Sequence, residues 1–381
     1  MARLGFLGAV RATPLRRHLL GALVALAVVF VVLASVDPFR QGQLATMAYY
    51  AIAVGGLTVL TGLNGQLSLG HGALMAVGAY TTALMSQDPT APSPVLLLLV
   101  VSVVVTLLVG AVVGVAAARL HGPYIAGATL AMAVAVPGIA SFFGDTFGGE
   151  QGLAVMTPPP PGWFADAVYF LTAQDLTPTS YVAYVGWIGV VVTFLLLANL
   201  ASSRVGRTWR AVRDDEVAAE IAGINLGRAR VSAFVVSAAC AGLAGSVMAM
   251  AVRIAAPSGF SLTLSLSLLT AIVLGGLGSL LGALIGAALL TFLPQVITSA
   301  GTGLGLSDLQ AAELAPFVYG LTLVLVVLLA PAGLVGEVRA LRHRRQGLPA
   351  EPSSAAPAAD AAGTAPSSQQ AAPEAGAGRS R

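Results

Sequence analysis

The stretch VLLLLVVSVVVTLLVGAVVGVAAA runs from residue 95 to residue 118 without a charged side chain. About 20 apolar residues in a helix cross the hydrocarbon core of a bilayer. Similar apolar stretches lie on both sides of it, separated by glycine, proline or charged residues. They predict ten transmembrane helices at about 19–36, 44–61, 71–86, 95–118, 123–143, 180–200, 231–252, 262–277, 280–297 and 315–331.

The overall composition agrees with a chain that lies mostly in lipid. Of its 381 residues, 57% are hydrophobic and only 9% are charged, and the mean hydropathy is +0.87. Soluble domains carry about 25% charged residues. We therefore predict an all-α integral membrane protein, a polytopic bundle of about ten helices. The third and eighth spans are short and flanked by glycine, so one or both are expected to be re-entrant or broken.

The arginines predict the orientation of this bundle. With the N-terminus in the cytoplasm, arginine clusters fall at the N-terminus, in the even-numbered loops and after the last span, whereas only Arg40 and Arg253 fall outside. Both termini are then cytoplasmic. The predicted domains are a basic N-terminus (1–18), a transmembrane domain (19–336) and a cytoplasmic tail (337–381). The first apolar run is longer than the core of a secretory signal peptide, so we interpret it as an uncleaved helix.

Two regions outside the spans have distinctive compositions. Residues 144–179 carry acidic residues, four consecutive prolines from Pro158 to Pro161, and Trp163. By topology they form an ordered external loop or a short interfacial helix. The tail is basic at first and then rich in Ala, Pro and Ser without aromatic residues, a composition that predicts disorder.

The longest cytoplasmic loop, which we call the coupling loop, covers about residues 201–230. Asp214, Asp215 and Glu216 favour a helix N-terminus, an apolar strip that includes Val217 and Ile221 follows at helical spacing, and Gly223 is suited to end the helix. The sequence thus predicts a short amphipathic helix from Asp214 to Gly223. Such a helix either lies on lipid headgroups or docks into a cytoplasmic protein.

A polar cluster interrupts the second and third spans. Asn64, Gln66, Ser68 and His71 lie within GLNGQLSLGHG. They are candidates for the translocation path, since the backbone of a broken helix is able to bind a polar substrate group. The alternative is that they satisfy the backbone of the broken helix and pack it against its neighbours.

Other residues exclude whole classes of chemistry. The chain has no lysine, so it lacks the phosphate-binding loop of a nucleotide hydrolase. One cysteine and four scattered histidines offer no metal-ligand spacing. The small residues of GGLGSLLGALIGA (275–287) predict a close helix contact, either within this chain or with a partner.

Three stretches together resemble a known family. They are RTWRAVRDDEVAAEIAGINLGRARVSA from Arg207, LTGLNGQLSLGHGALMAVGAYTTALM from Leu60, and TAIVLGGLGSLLGALIGAALLTFLP from Thr270. In their order along the chain they resemble the branched-chain amino acid ABC transporter permeases, and the pattern is closest to the permease that carries the longer external loop. The first resembles the E-A-A-x-x-x-G coupling motif, with Val217 as a departure. The resemblance implies coupling to the ATPase at Glu216, Ala218, Ala219 and Gly223. With Asp214, Asp215 and Glu220 of the same predicted helix, these are the residues predicted to couple the chain to its ATPase.

The resemblance implies an importer subunit in the bacterial cytoplasmic membrane. Its partners would be a homologous second permease, two cytoplasmic ATPases that use ATP and Mg, and a periplasmic or lipid-anchored amino-acid-binding protein. The chain itself would be no enzyme, hold no cofactor or metal and bind no nucleic acid. Its substrate would be a branched-chain or related hydrophobic amino acid; the alternative is urea or a short amide. An ion-coupled carrier is disfavoured, because no predicted span has a carboxylate near its middle.

Overall fold

The computed structural model of the chain describes residues 14–88, 93–120, 124–173, 175–329 and 333–337. The basic residues 1–13 and the tail from 338 onward, including its predicted disorder, lie outside the described residues. The described helices are α1 (Pro14–Ser35), α2 (Pro38–Leu57), α3 (His71–Met85), α4 (Val95–Ala117), α5 (Tyr124–Phe142), α6 (Gly144–Phe147), α7 (Gly162–Thr172), α8 (Pro178–Ser202), α9 (Arg204–Asp214), α10 (Glu216–Ile221), α11 (Leu226–Val252), α12 (Leu262–Gly275), α13 (Leu280–Gly303) and α14 (Asp308–Leu329).

A helix lies at each of the ten predicted spans, namely α1 to α5, α8 and α11 to α14. In the described part of the chain, eight helical stretches are long and apolar enough to cross a membrane. The fold is therefore that of an all-α polytopic membrane protein. Helix α3 has only 15 residues, fewer than the roughly 20 that a bilayer needs, in keeping with a short third span.

Some predicted boundaries were wrong. Helix α11 begins at Leu226, ahead of the predicted 231, because the side chain of Asn225 accepts a hydrogen bond from the backbone N–H of Arg228 at 2.9 Å and caps the helix there. Helix α13 continues to Gly303, beyond the predicted 297. Pro294 lies inside it, although proline often ends a helix.

Helix α11 lies at the centre of the bundle and packs against α4, α3 and α2. Small residues allow this close approach. A side chain at Gly245 would collide with the backbone of Met75 on α3, and one at Gly78 would collide with the backbone of Gly242. Close backbone contact through glycine is typical of helices that associate in lipid, where packing rather than water exclusion drives association.

The small-residue stretch 275–287 forms a contact within this chain. A side chain at Gly286 would collide with the backbone of Ala271, and one at Gly275 with that of Gly282. These residues therefore join α12 to α13. Of the two alternatives open from the sequence, the contact within the chain is observed.

The predicted external segment, residues 144–179, contains α6, a 3₁₀ turn (Gly149–Gln151), strand β1 (Leu153–Ala154) and α7. Strand β1 pairs antiparallel with β2 (Ile254–Ala255), which directly follows α11. A second 3₁₀ turn, Pro257–Phe260, precedes α12. The segment is thus attached to the end of α11 opposite the coupling loop.

Candidate functional site

The coupling loop folds into two helices instead of the single predicted helix from Asp214 to Gly223. Asp214 is the last residue of α9, and α10 covers only Glu216–Ile221. Between them Asp215 is extended, with φ −158° and ψ 108°, and its carboxylate accepts hydrogen bonds from the N–H groups of Val217 at 2.9 Å and Ala218 at 3.0 Å. The prediction that Asp214 lies in the first turn was wrong, because Asp215 serves as the N-cap and starts a new helix.

Gly223 ends α10. Its φ is +84°, and the N–H groups of Gly223 and Ile224 donate to the carbonyls of Glu220 at 2.9 Å and Ala219 at 3.0 Å. This is the Schellman pattern, in which a left-handed residue lets the chain close back on the last turn. A side chain at Gly223 would meet nothing within 4 Å, so the requirement for glycine here is conformational.

Helix α10 presents an apolar edge to the exterior. The side chain of Ala219 is buried, whereas Val217 is 69% exposed and Ile221 is 83% exposed. Asp214, Asp215, Glu216, Ala218 and Glu220 are also exposed. An exposed valine and isoleucine flanked by carboxylates on a six-residue helix form a surface suited to a protein partner.

Helix α9 holds this surface against the bundle. Trp209 is fully buried, and its indole N–H donates to the hydroxyl of Ser232 on α11 at 2.9 Å. Gly206 allows the turn between α8 and α9, because a Cβ there would collide with the backbone of Ala201. The base of the coupling loop is therefore fixed to α8 and α11.

Two arginines join the coupling loop to the transmembrane helices. Nη1 of Arg213 donates to the carbonyl oxygen of Gly62 at 2.8 Å. Arg230, only 3% exposed, forms an ion pair with Glu216, with 2.6 Å between Nη2 and Oε2. Sequence reasoning used both arginines only as signals of orientation. Neither partner follows from local spacing, since Gly62 is 151 residues away from Arg213.

The predicted polar cluster lies in what we call the broken segment, residues 58–70. Helix α2 continues into a π-helical turn, Thr58–Leu63, and the chain is then irregular until α3 begins at His71. The side chains of Asn64, Gln66, Ser68 and His71 are all buried. Three of the four predicted residues thus lie in this interior segment, and His71 directly follows it as the first residue of α3.

The side chains of Gln66 and Ser68 form hydrogen bonds to other groups of the protein. The amide of Gln66 donates to the side-chain oxygen of Asn64 and, at 3.1 Å, to the carbonyl of Arg230. The hydroxyl of Ser68 accepts from the N–H of Gly70 at 3.4 Å. These contacts agree with the alternative in which the cluster satisfies the broken backbone.

Two groups of the cluster retain unused hydrogen-bonding capacity. Within the described residues, the side-chain nitrogen of Asn64 and both ring nitrogens of His71 have no hydrogen-bond partner. Buried polar atoms are normally paired. A role in the translocation path stays a prediction for all four residues of the cluster.

The residues that commonly bind metals are scattered in the part of the chain that the structure describes. There, no group of three or more His, Cys, Asp or Glu residues is placed to hold a metal ion. Cys240 is buried as a free thiol on α11.

Comparison with known proteins gives a family match across the bundle. Residues 41–327 match a family described as "Branched-chain amino acid transport system / permease component". The match begins in α2 and ends in α14, so it includes both the broken segment and the coupling loop. No solved structure matches the chain.

Individual relatives carry the same description. The high-affinity branched-chain amino acid transport system permease protein LivM of Salmonella typhimurium is 31% identical over 262 residues, which are 65% of this chain and 61% of that protein. LivM of Escherichia coli K12 is 30% identical over 69% of this chain and 66% of its own length. BraD of Pseudomonas aeruginosa is 27% identical over 75% of this chain and 91% of its own length. The match thus spans less than two thirds of either LivM protein.

Proposed function

Because this chain belongs to the branched-chain amino acid transport permease family, we propose that it is a permease subunit of an ABC importer. It would move branched-chain or related hydrophobic amino acids into the cell across the bacterial cytoplasmic membrane. The observation that carries the proposal is the family match over residues 41–327. The relatives' names concern branched-chain amino acids, and no observation favours urea or short amides.

In this proposal the chain forms the membrane path and separate subunits hydrolyse ATP. The absence of lysine supports this division, since the phosphate-binding loop of an ATPase requires one. The expected partners are a homologous permease, two ATPase subunits with their ATP and Mg, and a periplasmic or lipid-anchored amino-acid-binding protein. The chain would be no enzyme and hold no cofactor.

We also propose ten crossings with both termini in the cytoplasm. The support is the helix at each of the ten predicted spans, together with the distribution of arginines along the chain. The coupling loop would then face the cytoplasm. Strands β1 and β2, α6 and α7 would face the binding protein on the other side.

The coupling loop is the proposed docking site for an ATPase. Support comes from the exposed apolar edge of α10, formed by Val217 and Ile221. Burial of these two side chains against a partner would stabilise the complex. The flanking carboxylates of Asp215, Glu216 and Glu220 would select a partner of opposite charge. In this role α10 transmits the closure of the ATPases to the transmembrane helices.

The first test is to purify the tagged chain from its native host in mild detergent and identify its partners. Two ATPases and a second permease should co-purify, and the complex should import a branched-chain amino acid into liposomes when ATP and the binding protein are supplied. A chain that purifies alone and still catalyses uptake would refute the ABC assignment.

The docking role is tested by the double substitution Val217→Asp with Ile221→Asp. Because both side chains are exposed, the variant should insert normally but lose the ATPases and its uptake. The matched control is Leu304→Asp, an equally exposed leucine that follows the end of α13 remote from the coupling loop. Retained ATPase association in the double variant would rule out docking at α10, as would equal loss of the ATPases in the control.

A further inference from the structure

We infer that Arg213 and Arg230 are positioning residues that tie the ATPase-facing helix α10 to the broken segment inside the membrane domain. Both arginines join the N-terminal end of α10 to residues between Gly62 and Gln66. Displacement of α10 would therefore move the broken segment directly. This inference rests on the proposed function, because it requires that α10 be displaced by an ATPase.

Arg213 provides the first connection. It lies three residues before α10 begins, and its Nη1 donates to the carbonyl of Gly62 at 2.8 Å. Gly62 belongs to the π-helical turn that ends α2, where terminal carbonyls lack helical partners. The aliphatic part of Arg213 lies against Gly65, since a Cβ at Gly65 would lie 3.0 Å from Cγ of Arg213. The arginine thus contacts the broken segment at two points.

Arg213 is also held from the side of the coupling loop. Its guanidinium contacts the carboxylate of Asp214, with 2.7 Å between Nη2 and Oδ1. A guanidinium that bonds both a carboxylate and a carbonyl is held in place more firmly than one with a single partner. The side chain therefore acts as a strut between the end of α9 and the end of the π-helical turn.

Arg230 provides the second connection, through its side chain and its backbone. The buried guanidinium pairs with Glu216, the first residue of α10, at 2.6 Å. The backbone carbonyl oxygen of Arg230 accepts a hydrogen bond from the side-chain amide of Gln66 at 3.1 Å. One residue of α11 thus contacts both α10 and the broken segment.

The burial of Arg230 indicates more than a surface ion pair. Its side chain is 3% exposed, whereas that of Glu216 is 50% exposed. A buried guanidinium costs desolvation energy that a hydrophobic residue of similar size would avoid. Its Nη1 also donates to the carbonyl of Leu120 at 3.5 Å. Glu216 is the only acidic side chain paired with Arg230 among the described residues, so the carboxylate that neutralises the buried charge comes from α10.

A close backbone contact links the broken segment to the turn between α12 and α13. A Cβ at Gly62 would collide with the backbone N of Gly278, which lies between α12 and α13. Gly62 is therefore in close backbone contact with that turn, and a shift of its carbonyl is passed on to α12 and α13. Packed elements of this kind move between discrete arrangements more readily than they deform.

The test measures amino acid imported per ATP hydrolysed by the reconstituted complex. Arg213→Gln and Arg230→Gln should each lower this ratio by about fivefold or more, while the ATPases remain bound. Arg213→Lys should restore part of the ratio, because its ammonium group is carried on a longer stem than the glutamine amide and can still donate to the Gly62 carbonyl and pair with Asp214. The matched control is Arg207→Gln. Arg207 is exposed, and among the described residues its side chain bonds only to the Ser202 carbonyl of its own loop, at 3.3 Å.

Each outcome decides the inference. A purely structural role for the arginines would reduce the amount of complex and its uptake together, leaving the ratio at the wild-type value, and would overturn the inference. A ratio lowered equally in Arg207→Gln would overturn it as well. If wild-type complex imports amino acid while the variants keep their ratio, only the inference fails. If no ATPases bind the wild-type chain, the proposed function fails and the inference with it.

Discussion

Replacing Gly245 by alanine should force α3 and α11 apart at the centre of the bundle. A Cβ at this position would overlap the carbonyl oxygen of Met75 and lie 2.8 Å from its carbonyl carbon. Nonbonded carbons prefer about 3.5–4.0 Å, so the two helices must separate by roughly 0.7 Å or more. The obstacle is backbone, which has no side-chain rotation to relieve it.

The cost of this separation follows from known overpacking effects. An extra methylene in a well-packed core costs about 1–3 kcal/mol, and contact with rigid backbone places Gly245→Ala near the upper value. The control Gly127→Ala lies on α5, where an added Cβ meets nothing within 4 Å. Alanine gains about 1 kcal/mol of helix propensity at both positions, so this gain cancels in the comparison. We expect the two variants to differ by about 3 kcal/mol.

The assay is thermal denaturation of the purified chain in detergent, followed by size-exclusion chromatography. Gly245→Ala should lower the midpoint by roughly 5 °C or more relative to Gly127→Ala and should reduce the amount of folded protein in membranes. Equal midpoints for the two variants would refute the close contact between α3 and α11 and the central position of α11.

Two further predictions concern the coupling loop and the bundle interior. Gly223→Ala should lower the free energy of unfolding by about 1 kcal/mol, because the φ of +84° at this position disfavours a side chain. It should also lower uptake per inserted molecule. Gly223→Asn should retain more uptake than Gly223→Ala, and equal uptake by the two variants would contradict this explanation. Thr82→Val should cost about 1 kcal/mol, because its hydroxyl bonds Ser102 at 2.8 Å and Ser246 at 2.6 Å on two other helices. The control Thr81→Val should lower the thermal midpoint less than Thr82→Val does. Among the described residues, the hydroxyl of Thr81 donates only to the carbonyl of Val77 on its own helix.

The membrane class and the approximate helix positions could be predicted from the sequence. Partition into lipid depends on apolar content summed along about 20 consecutive residues, a property that needs no knowledge of contacts. Helix ends were predictable only where a local residue decides them. Gly223 ends α10 through its own backbone conformation, whereas the break at Asp215 was missed because several neighbouring acids were equally plausible caps.

The candidate site was predictable in its location but only partly in its contacts. The irregular backbone of residues 64–70 follows from closely spaced glycines and polar residues, and the burial of Asn64 and His71 agrees with that pattern. Whether these residues bind substrate or support the broken helix could not be predicted, since both roles require the same residue types. The hydrogen bonds of Gln66 and Ser68 favour support for those two.

By itself, the sequence determined that this protein is a bundle of membrane helices and that its coupling loop contains a short helix ending at Gly223. Only the tertiary structure showed the second helix of that loop, α9. Only the tertiary structure decided that Arg213 contacts Gly62 and that Arg230 pairs with Glu216. It also decided that the glycines of α12 and α13 meet within the chain. The physical reason is that partition and capping are local energies, whereas helix association in lipid depends on the shapes of surfaces that are distant in sequence.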